Sequence, residues 1–371
     1  MKALVTGGAG FIGSHTVDLL VENGYDVRIV DNLLEQVHHS KKPAYLNKKA
    51  QFIKGDVSEL KSWKKWLDNV DIVVHLASMA GLAQSMMEPE KYCSANIQGT
   101  ANLYETLVKN PGIRKKIKKI IVASSKTLYG EGACKCREHG MQFPELRPLE
   151  QLKKKDWELH CPKCARIMQA VPIPEEKPPQ CLSVYAMTKY ATEKLAMMYS
   201  STLGINTVAF RYFSVFGPRQ SLSNPYTGVC SIFLSRIKNG QQPVIFEDGG
   251  QIRDFVFVGD VARANLMAAK KQDFSGVYNV GSGAGKSIKE VVIAINKILG
   301  KNVQPKITND FRYGDTRNDL SDNAKVERDL GFVPNYSFEQ GIRELIKWGE
   351  TAESVDMFDK AEQERKSLLG K

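Results

Sequence analysis

Lys2-Ala3-Leu4-Val5-Thr6-Gly7-Gly8-Ala9-Gly10-Phe11-Ile12-Gly13 opens the chain directly after Met1. The first five residues predict a short buried strand, and the glycines that follow at G-x-x-G-x-x-G spacing predict a tight turn. Ser14 to Asn23 reads as a helix stopped by Gly24. In this pattern Gly7 allows the turn, Gly10 lets a pyrophosphate approach the backbone, and Gly13 packs helix on strand. Phosphates then meet free N–H groups at a helix N-terminus. Val27-Arg28-Ile29-Val30 reads as the next strand, and Asp31 closes it 18 positions after Gly13. A carboxylate there accepts hydrogen bonds from the adenosine ribose and repels a 2′-phosphate, so NAD is expected rather than NADP. Phe11 and Ile12 between the glycines, and Asn32 beside the acid, join the expected cofactor-binding set. A glycine turn without a ligand is the bland alternative; strand, glycines, helix, strand and acid in this order argue against it.

Further strand-like runs follow at Phe52-Ile53, Ile72-Val73-Val74-His75-Leu76, Ile120-Ile121-Val122 and Val208-Ala209-Phe210, with helical stretches between them. The alternation predicts an α/β fold, a Rossmann-type doubly wound parallel sheet. Ligands on such sheets bind outside the carboxyl ends of the strands. Those ends are Asp56-Val57, His75-Leu76-Ala77-Ser78, Ser124-Ser125 and Arg211-Tyr212-Phe213-Ser214. The expected organisation is an NAD-binding domain over 1–210, interrupted by a Cys-rich insertion over 131–180. A smaller, mainly substrate-binding part covers 211–350 and returns some elements to the first; a polar tail covers 351–371. Val171 to Pro179 reads as an extended loop.

The 371 residues suffice for one large or two modest domains, and 42% hydrophobic with 25% charged residues is ordinary for a globular chain. No apolar run reaches transmembrane length and the first strand leaves no room for a signal peptide, so the expectation is a cytoplasmic protein without a membrane partner. The net charge is +11, with lysine runs at Lys41-Lys42, Lys115-Lys116-Ile117-Lys118-Lys119 and Lys153-Lys154-Lys155. None carries interleaved aromatics, so they read as solvated faces rather than a nucleic-acid surface. A basic surface also draws in an anionic, nucleotide-linked substrate.

Tyr185 and Lys189 stand four apart in Ser183-Val184-Tyr185-Ala186-Met187-Thr188-Lys189, which puts them on one helix face. The Lys189 ammonium can lower the pKa of the Tyr185 phenol. A tyrosine so poised shuttles a proton while a nicotinamide takes or gives hydride. Alone the pair reads as a solvated face; its company makes it a catalytic candidate.

Together these motifs resemble the extended short-chain dehydrogenase/reductase family, the NAD-dependent nucleotide-sugar epimerases and dehydratases. The resemblance covers about residues 1–345 apart from 131–180. It implies that Asp56 and Val57 lie against the adenine, that Leu76 and Ala77 line the cofactor pocket, and that Asn96, which with Tyr185 and Lys189 joins the cofactor-binding set, holds the active-site helix. Ser125 matches the hydroxyl that binds the reacting sugar oxygen beside Tyr185. Arg253-Asp254-Phe255-Val256, Gly259-Asp260-Val261-Ala262 and Asn279-Val280-Gly281-Ser282-Gly283 match further family hallmarks. Arg253, and Arg312 in Arg312-Tyr313-Gly314-Asp315, match the arginines that grip the substrate diphosphate, a task suited to bidentate, permanently charged donors. Ser214 departs from the family's usual asparagine and keeps a shorter donor for the same phosphate.

The reaction type follows from Ser124-Ser125-Lys126-Thr127-Leu128-Tyr129-Gly130. Relatives that dehydrate the sugar carry Asp-Glu after the catalytic hydroxyl, and relatives that decarboxylate keep the Glu. Here Lys126 and Thr127 take those places, which leaves no evident base for elimination. Epimerisation at C4 remains: Tyr185 exchanges the proton, NAD the hydride, and Ser125 and Thr127 offer hydrogen bonds to the moving oxygen. An NAD(P)-dependent 4-keto-sugar reductase using the same Tyr185–Lys189 pair stays open, as does a non-catalytic NAD-sensing scaffold. The resemblance also implies a homodimer built on the helix after Asn96 and the helix of Tyr185, with Met197-Met198 in the seam.

Ser125 and Tyr185 are 60 positions apart, and the stretch between them holds Cys134, Cys136, His139, His160, Cys161 and Cys164. Cys136-x2-His139 with Cys161-Pro162-Lys163-Cys164 gives a Cys3His set at zinc-ribbon spacing, with Cys134 as a substitute ligand. A structural zinc is the expectation, and unligated thiols are the other reading; Cys93, Cys181 and Cys230 read as ordinary thiols. The insertion and the loop Gln220 to Val229 look most like the dTDP-L-rhamnose 4-epimerases, with UDP-hexose 4-epimerases as the alternative.

Overall fold

The computed structural model describes residues 1–38, 40–312 and 314–369; Tyr313 of the Arg312–Asp315 motif lies outside them, as do Gly370 and Lys371 at the end of the expected tail. Lys2–Thr6 sits inside a seven-stranded parallel sheet whose order is Gly276–Val280, Asn206–Tyr212, Lys119–Ser125, Ile72–His75, Lys2–Thr6, Asp26–Asp31 and Gln51–Lys54. The β-branched runs Ile72-Val73-Val74 and Ile120-Ile121-Val122 suit central strands covered on both faces, and all six residues are fully buried. One face packs on Val17 and Leu20 of the Phe11–Glu22 helix and Ala264 and Ala268 of the Val258–Lys270 helix. The other packs on Trp63, Trp66, Leu103, Leu107 and Ala196. Strand order reverses beside Lys2–Thr6, opening a crevice at the carboxyl ends of the strands.

The doubly wound parallel sheet is as expected, with two refinements. The first helix starts at Phe11 rather than Ser14, because Gly10 serves as its N-cap and Gly13 already lies inside it. The outer strand Gly276–Val280 comes from the C-terminal half; Gly276 and Asn279 hide its apolar alternation in the sequence.

Beyond the sheet, Phe216, Phe233, Phe255, Ile342 and Leu345 anchor a second apolar core on the C-terminal side of the crevice. The insertion forms its own antiparallel sheet, Gly140–Gln142 beside Ala133–Cys136 beside Gln169–Val171. Part of the segment expected as a polar tail is the helix Phe358–Leu369, with Ala361 buried. Among the described residues no helix is long and apolar enough to cross a membrane.

Gly7 has φ +66°, a left-handed turn open to glycine, and a Cβ on Gly13 would lie 2.0 Å from the Gly7 carbonyl oxygen. Gly13→Ala is therefore expected to destabilise the protein by about 1–3 kcal/mol in urea unfolding, because backbone rather than a flexible side chain must yield.

Candidate active site

The crevice is a cleft of about 1470 Å³. Pockets for one small ligand run to roughly 1,000 Å³, so this one has room for a dinucleotide and a second nucleotide side by side. Gly7, Gly10, Phe11, Ile12 and Gly13 line one end, with Asp31, Asn32, Asp56, Val57, Leu76 and Ala77 next to them. Asp31 is fixed by the N–H groups of Ala9 at 3.0 Å and Leu33 at 2.9 Å. Asn32 donates to Asp56 at 2.9 Å. Burial pushes Asp56 up, but hydrogen bonds from Ser58 and Asn32 outweigh it and hold the carboxyl below its ordinary value. A Cβ on Gly7 would stand 2.7 Å from the Ala77 nitrogen, so the turn and the end of Ile72–His75 approach as closely as backbone allows. A side-chain-free turn at a helix start, with a carboxylate at the next strand end, fits a dinucleotide.

Ser125, Thr127, Tyr185 and Lys189 line the same cleft at the ends of Lys119–Ser125 and the start of the Val184–Leu203 helix. Ser183 caps that helix, its Oγ accepting from the Ala186 N–H at 3.1 Å. Ser125 Oγ accepts from both Thr127 N–H, at 3.2 Å, and Thr127 Oγ1, at 3.0 Å. Its own proton is left to give, and Tyr185 is the group it bonds. His75, another strand-end residue, is locked between Thr6 at 2.7 Å and Thr100 at 3.2 Å, and burial drives it down to about 3, so it stays neutral.

One electrostatic expectation is corrected here. Burial holds the Tyr185 phenol above its ordinary value, and the bond with Ser125 pulls it partway back. Lys189 is not what sets that value. Lys189 is only 3% exposed, and burial lowers its ammonium from 10.5 to about 8.

Asn96 does not line the cleft with the other expected cofactor residues. It is buried in the π-helical segment Cys93–Gln98, where Oδ1 accepts from Met79 N–H at 2.8 Å and Nδ2 donates to Thr188 Oγ1 at 2.9 Å. It therefore braces the Tyr185 helix from behind.

Ser214, Arg253 and Arg312 line the opposite wall. Arg253 donates to the carbonyls of Ile252 and Thr316, both at 2.8 Å. Arg312 lies 3.9 Å over the Phe246 ring and donates to Glu362 at 2.8 Å, while its Nε is buried without a partner among the described residues. Lys126 is bonded to Asp319, which Arg253 also faces at 3.9 Å. Sequence reasoning missed Asp319 and Glu193, whose partners are distant in the chain. Glu193 accepts from Ser124 at 2.7 Å and pairs with Arg211 at 2.6 and 2.9 Å.

Away from the cleft, Cys136, His139, Cys161 and Cys164 bring four ligand atoms within 4.8 Å of one another. Cys134 stands outside this group, which corrects its place as a substitute ligand. It is two residues up the strand, fully buried and paired across to Gln142 and Ala170.

The family model described as "NAD dependent epimerase/dehydratase family" matches residues 3–151 and 162–281. A dTDP-L-rhamnose 4-epimerase of Burkholderia thailandensis is 32% identical over 351 residues, covering 94% of each chain. A putative UDP-glucose 4-epimerase of Methanocaldococcus jannaschii is 33% identical over 93% of this chain and 97% of its own. Among solved structures, the UDP-glucose 4-epimerase of Thermotoga maritima with UDP-glucose superposes with TM-score 0.78 at 32% identity, over 94% and 99% of the two chains. The Thermus thermophilus UDP-glucose 4-epimerase complex with NAD gives 0.75 at 29% identity, over 95% and 100%.

The buried ammonium of Lys189 has a cost that depends on pH. Below about 8 it is charged folded and unfolded alike and the full penalty applies; between about 8 and 10.5 the folded state sheds the proton first, so stability rises with pH. Cofactor-stripped Lys189→Met is expected to exceed the wild type by about 1–3 kcal/mol at pH 7. Urea unfolding between pH 7 and 10 checks whether that gap closes.

Proposed function

The chain belongs to the NAD dependent epimerase/dehydratase family, and within it we propose that it is a nucleotide-sugar 4-epimerase working with bound NAD, its substrate dTDP-L-rhamnose. The observation that carries the reading is the convergence of Ser125, Thr127, Tyr185 and Lys189 in one cleft with the Gly7–Gly13 turn and Asp31. The position where an eliminating relative needs a free acid holds Lys126, tied to Asp319.

In this reading the Gly7–Gly13 turn with Phe11 and Ile12 holds the cofactor diphosphate, Asp31 and Asn32 its adenosine ribose, and Asp56 and Val57 its adenine. Bound NAD supplies the hydride acceptor and, through its positive ring, a pull on the Tyr185 phenolate. Tyr185 takes the C4 hydroxyl proton and later returns it. The Thr127–Ser125–Tyr185 chain of hydrogen bonds orients that exchange. Lys189 follows Tyr185 by one turn on the same helix and lines the same cleft. Ser214, Arg253 and Arg312 anchor the diphosphate while the 4-keto sugar turns over. Cys136, His139, Cys161 and Cys164 hold a structural zinc; four protein ligands leave no open position for chemistry.

The likeness to the Burkholderia thailandensis enzyme supports the deoxysugar, and the likeness to the Methanocaldococcus jannaschii protein supports UDP-glucose as the second reading. Incubation with dTDP-L-rhamnose, UDP-glucose and UDP-N-acetylglucosamine, without added NAD(P)H, is expected to give the C4 epimer of the first by NMR. Conversion of a UDP-sugar alone would move the substrate, and turnover only with added NAD(P)H would make the protein a 4-keto-sugar reductase. Tyr185→Phe is expected to lower kcat by about 10²–10⁴-fold.

The same reading makes the enzyme a homodimer. Met198 on the Tyr185 helix and Val108 on the Gly99–Lys109 helix are exposed, at 63% and 43%, and the two helices are joined by the stacked Tyr104 and Tyr199 rings. Met198→Lys is expected to shift the sedimentation coefficient to that of a monomer.

A further inference from the structure

The four ligand atoms of the insertion are spaced as an ion would space them. Zinc at about 2.3 Å from sulfur and about 2.0–2.1 Å from nitrogen, in a tetrahedron, requires S···S near 3.8 Å and S···N near 3.5 Å. The Cys136 and Cys164 sulfurs are 3.7 Å apart, and His139 Nδ1 is 3.6 Å from Cys136 Sγ and 3.5 Å from Cys161 Sγ. A disulfide needs about 2.05 Å, and all three thiols of the cluster are free. The second histidine, His160, is turned away to Asp156 at 2.8 Å and the Ala165 carbonyl at 3.0 Å.

The insertion needs such a staple. Its own core is Cys134, Cys136, Leu159, Cys161 and Met168, and its strands are three or four residues long. So small an apolar cluster cannot offset the ordering of some forty residues. The cluster joins its two halves: Cys136 ends the first strand and His139 follows it, and Cys161 and Cys164 form a knuckle in which Cys161 N–H bonds the Arg166 carbonyl at 2.8 Å.

What the insertion holds is the wall of the cleft. Just before the first strand, Glu131 is fully buried and accepts the N–H groups of Arg317 at 2.8 Å and Asn318 at 2.9 Å. Arg147 pairs with Glu247 at 2.8 and 3.0 Å and donates to the Asp315 carbonyl at 3.0 Å. Glu158, three residues before the knuckle cysteine, accepts from Arg317 at 2.5 Å. Asp315 and Thr316 line the cleft, and the Thr316 carbonyl holds Arg253.

We infer that one zinc ion on Cys136, His139, Cys161 and Cys164 sets the Asp315–Thr316 wall of the substrate cleft, acting through Glu131, Arg147 and Glu158 as positioning residues. The inference rests on the reading of the cluster as a zinc site. Because the wall belongs to the substrate side, loss of the ion weakens substrate binding and leaves the cofactor end intact.

Metal analysis of the purified full-length protein is expected to give one zinc per chain, and cobalt exchanged into it to show the intense thiolate charge-transfer band of a tetrahedral cysteine site. Zinc-free preparations with no such band would overturn the site itself. The coupling is read separately. Chelator-treated wild type and Cys161→Ser are expected to show KM for the nucleotide sugar raised 5–20-fold, roughly the size of a typical coupling between sites, with bound NAD unchanged. Glu158→Gln, which keeps all four ligands, is expected to raise KM in the same direction while retaining its zinc. A zinc-loaded protein whose KM is the same after metal removal and in Glu158→Gln would overturn the coupling and leave the site standing. Should Cys161→Ser fail to fold, the chelated wild type and Glu158→Gln decide alone.

Discussion

The buried pair of Glu193 and Arg211 carries the site. Glu193 lies two turns beyond Tyr185 on the same helix and is 2% exposed; Arg211 lies on the neighbouring strand Asn206–Tyr212. Arg211 also donates to the Tyr129 hydroxyl at 2.7 Å, and Tyr129 donates to Asn279 at 2.8 Å on the outer strand. Three strands and the Tyr185 helix therefore share one polar knot. Removing one partner of such a pair costs about 3–5 kcal/mol, because the other charge is left buried and unpaired. Ser124, bonded to Glu193, precedes Ser125 at the end of its strand, so the knot also ties down the strand end that carries Ser125.

A second constraint is the competition between burial and charge at the reacting end. A phenol and an ammonium set into the same dry helix face each move toward neutrality. The protein by itself holds Tyr185 protonated and offsets this only through Ser125, to which Thr127 gives two hydrogen bonds. On the opposite wall Lys126 and Arg253 share the single carboxylate of Asp319, which leaves a net positive charge there.

Much of the cofactor end was legible because its causes are local. A left-handed turn needs Gly7, close packing needs Gly13, and a strand-end acid needs only the strand to be recognised. Tyr185 and Lys189 were legible for a similar reason, since four residues fix a shared helix face. Asn96 bonds the Tyr185 helix through Thr188, in line with its expected holding role, but the π-helical segment Cys93–Gln98 buries it away from the cleft lining, which no local spacing foretells. Asp319, Glu247 and Arg317 gave no local signal, because their partners lie scores of residues away in the chain.

The sequence by itself determined the alternating fold, the dinucleotide turn, the pairing of Tyr185 with Lys189 and the spacing of the four Cys/His side chains. Each is a short-range pattern in which backbone geometry converts residue spacing into shared position. Only the tertiary structure decided what those groups experience: how burial sets the titration of Tyr185 and Lys189, that Cys134 is excluded from the Cys/His cluster, and that the insertion reaches the cleft wall through Glu131 and Glu158. Those outcomes depend on the dielectric and on contacts between residues far apart in the chain, and no local spacing encodes either.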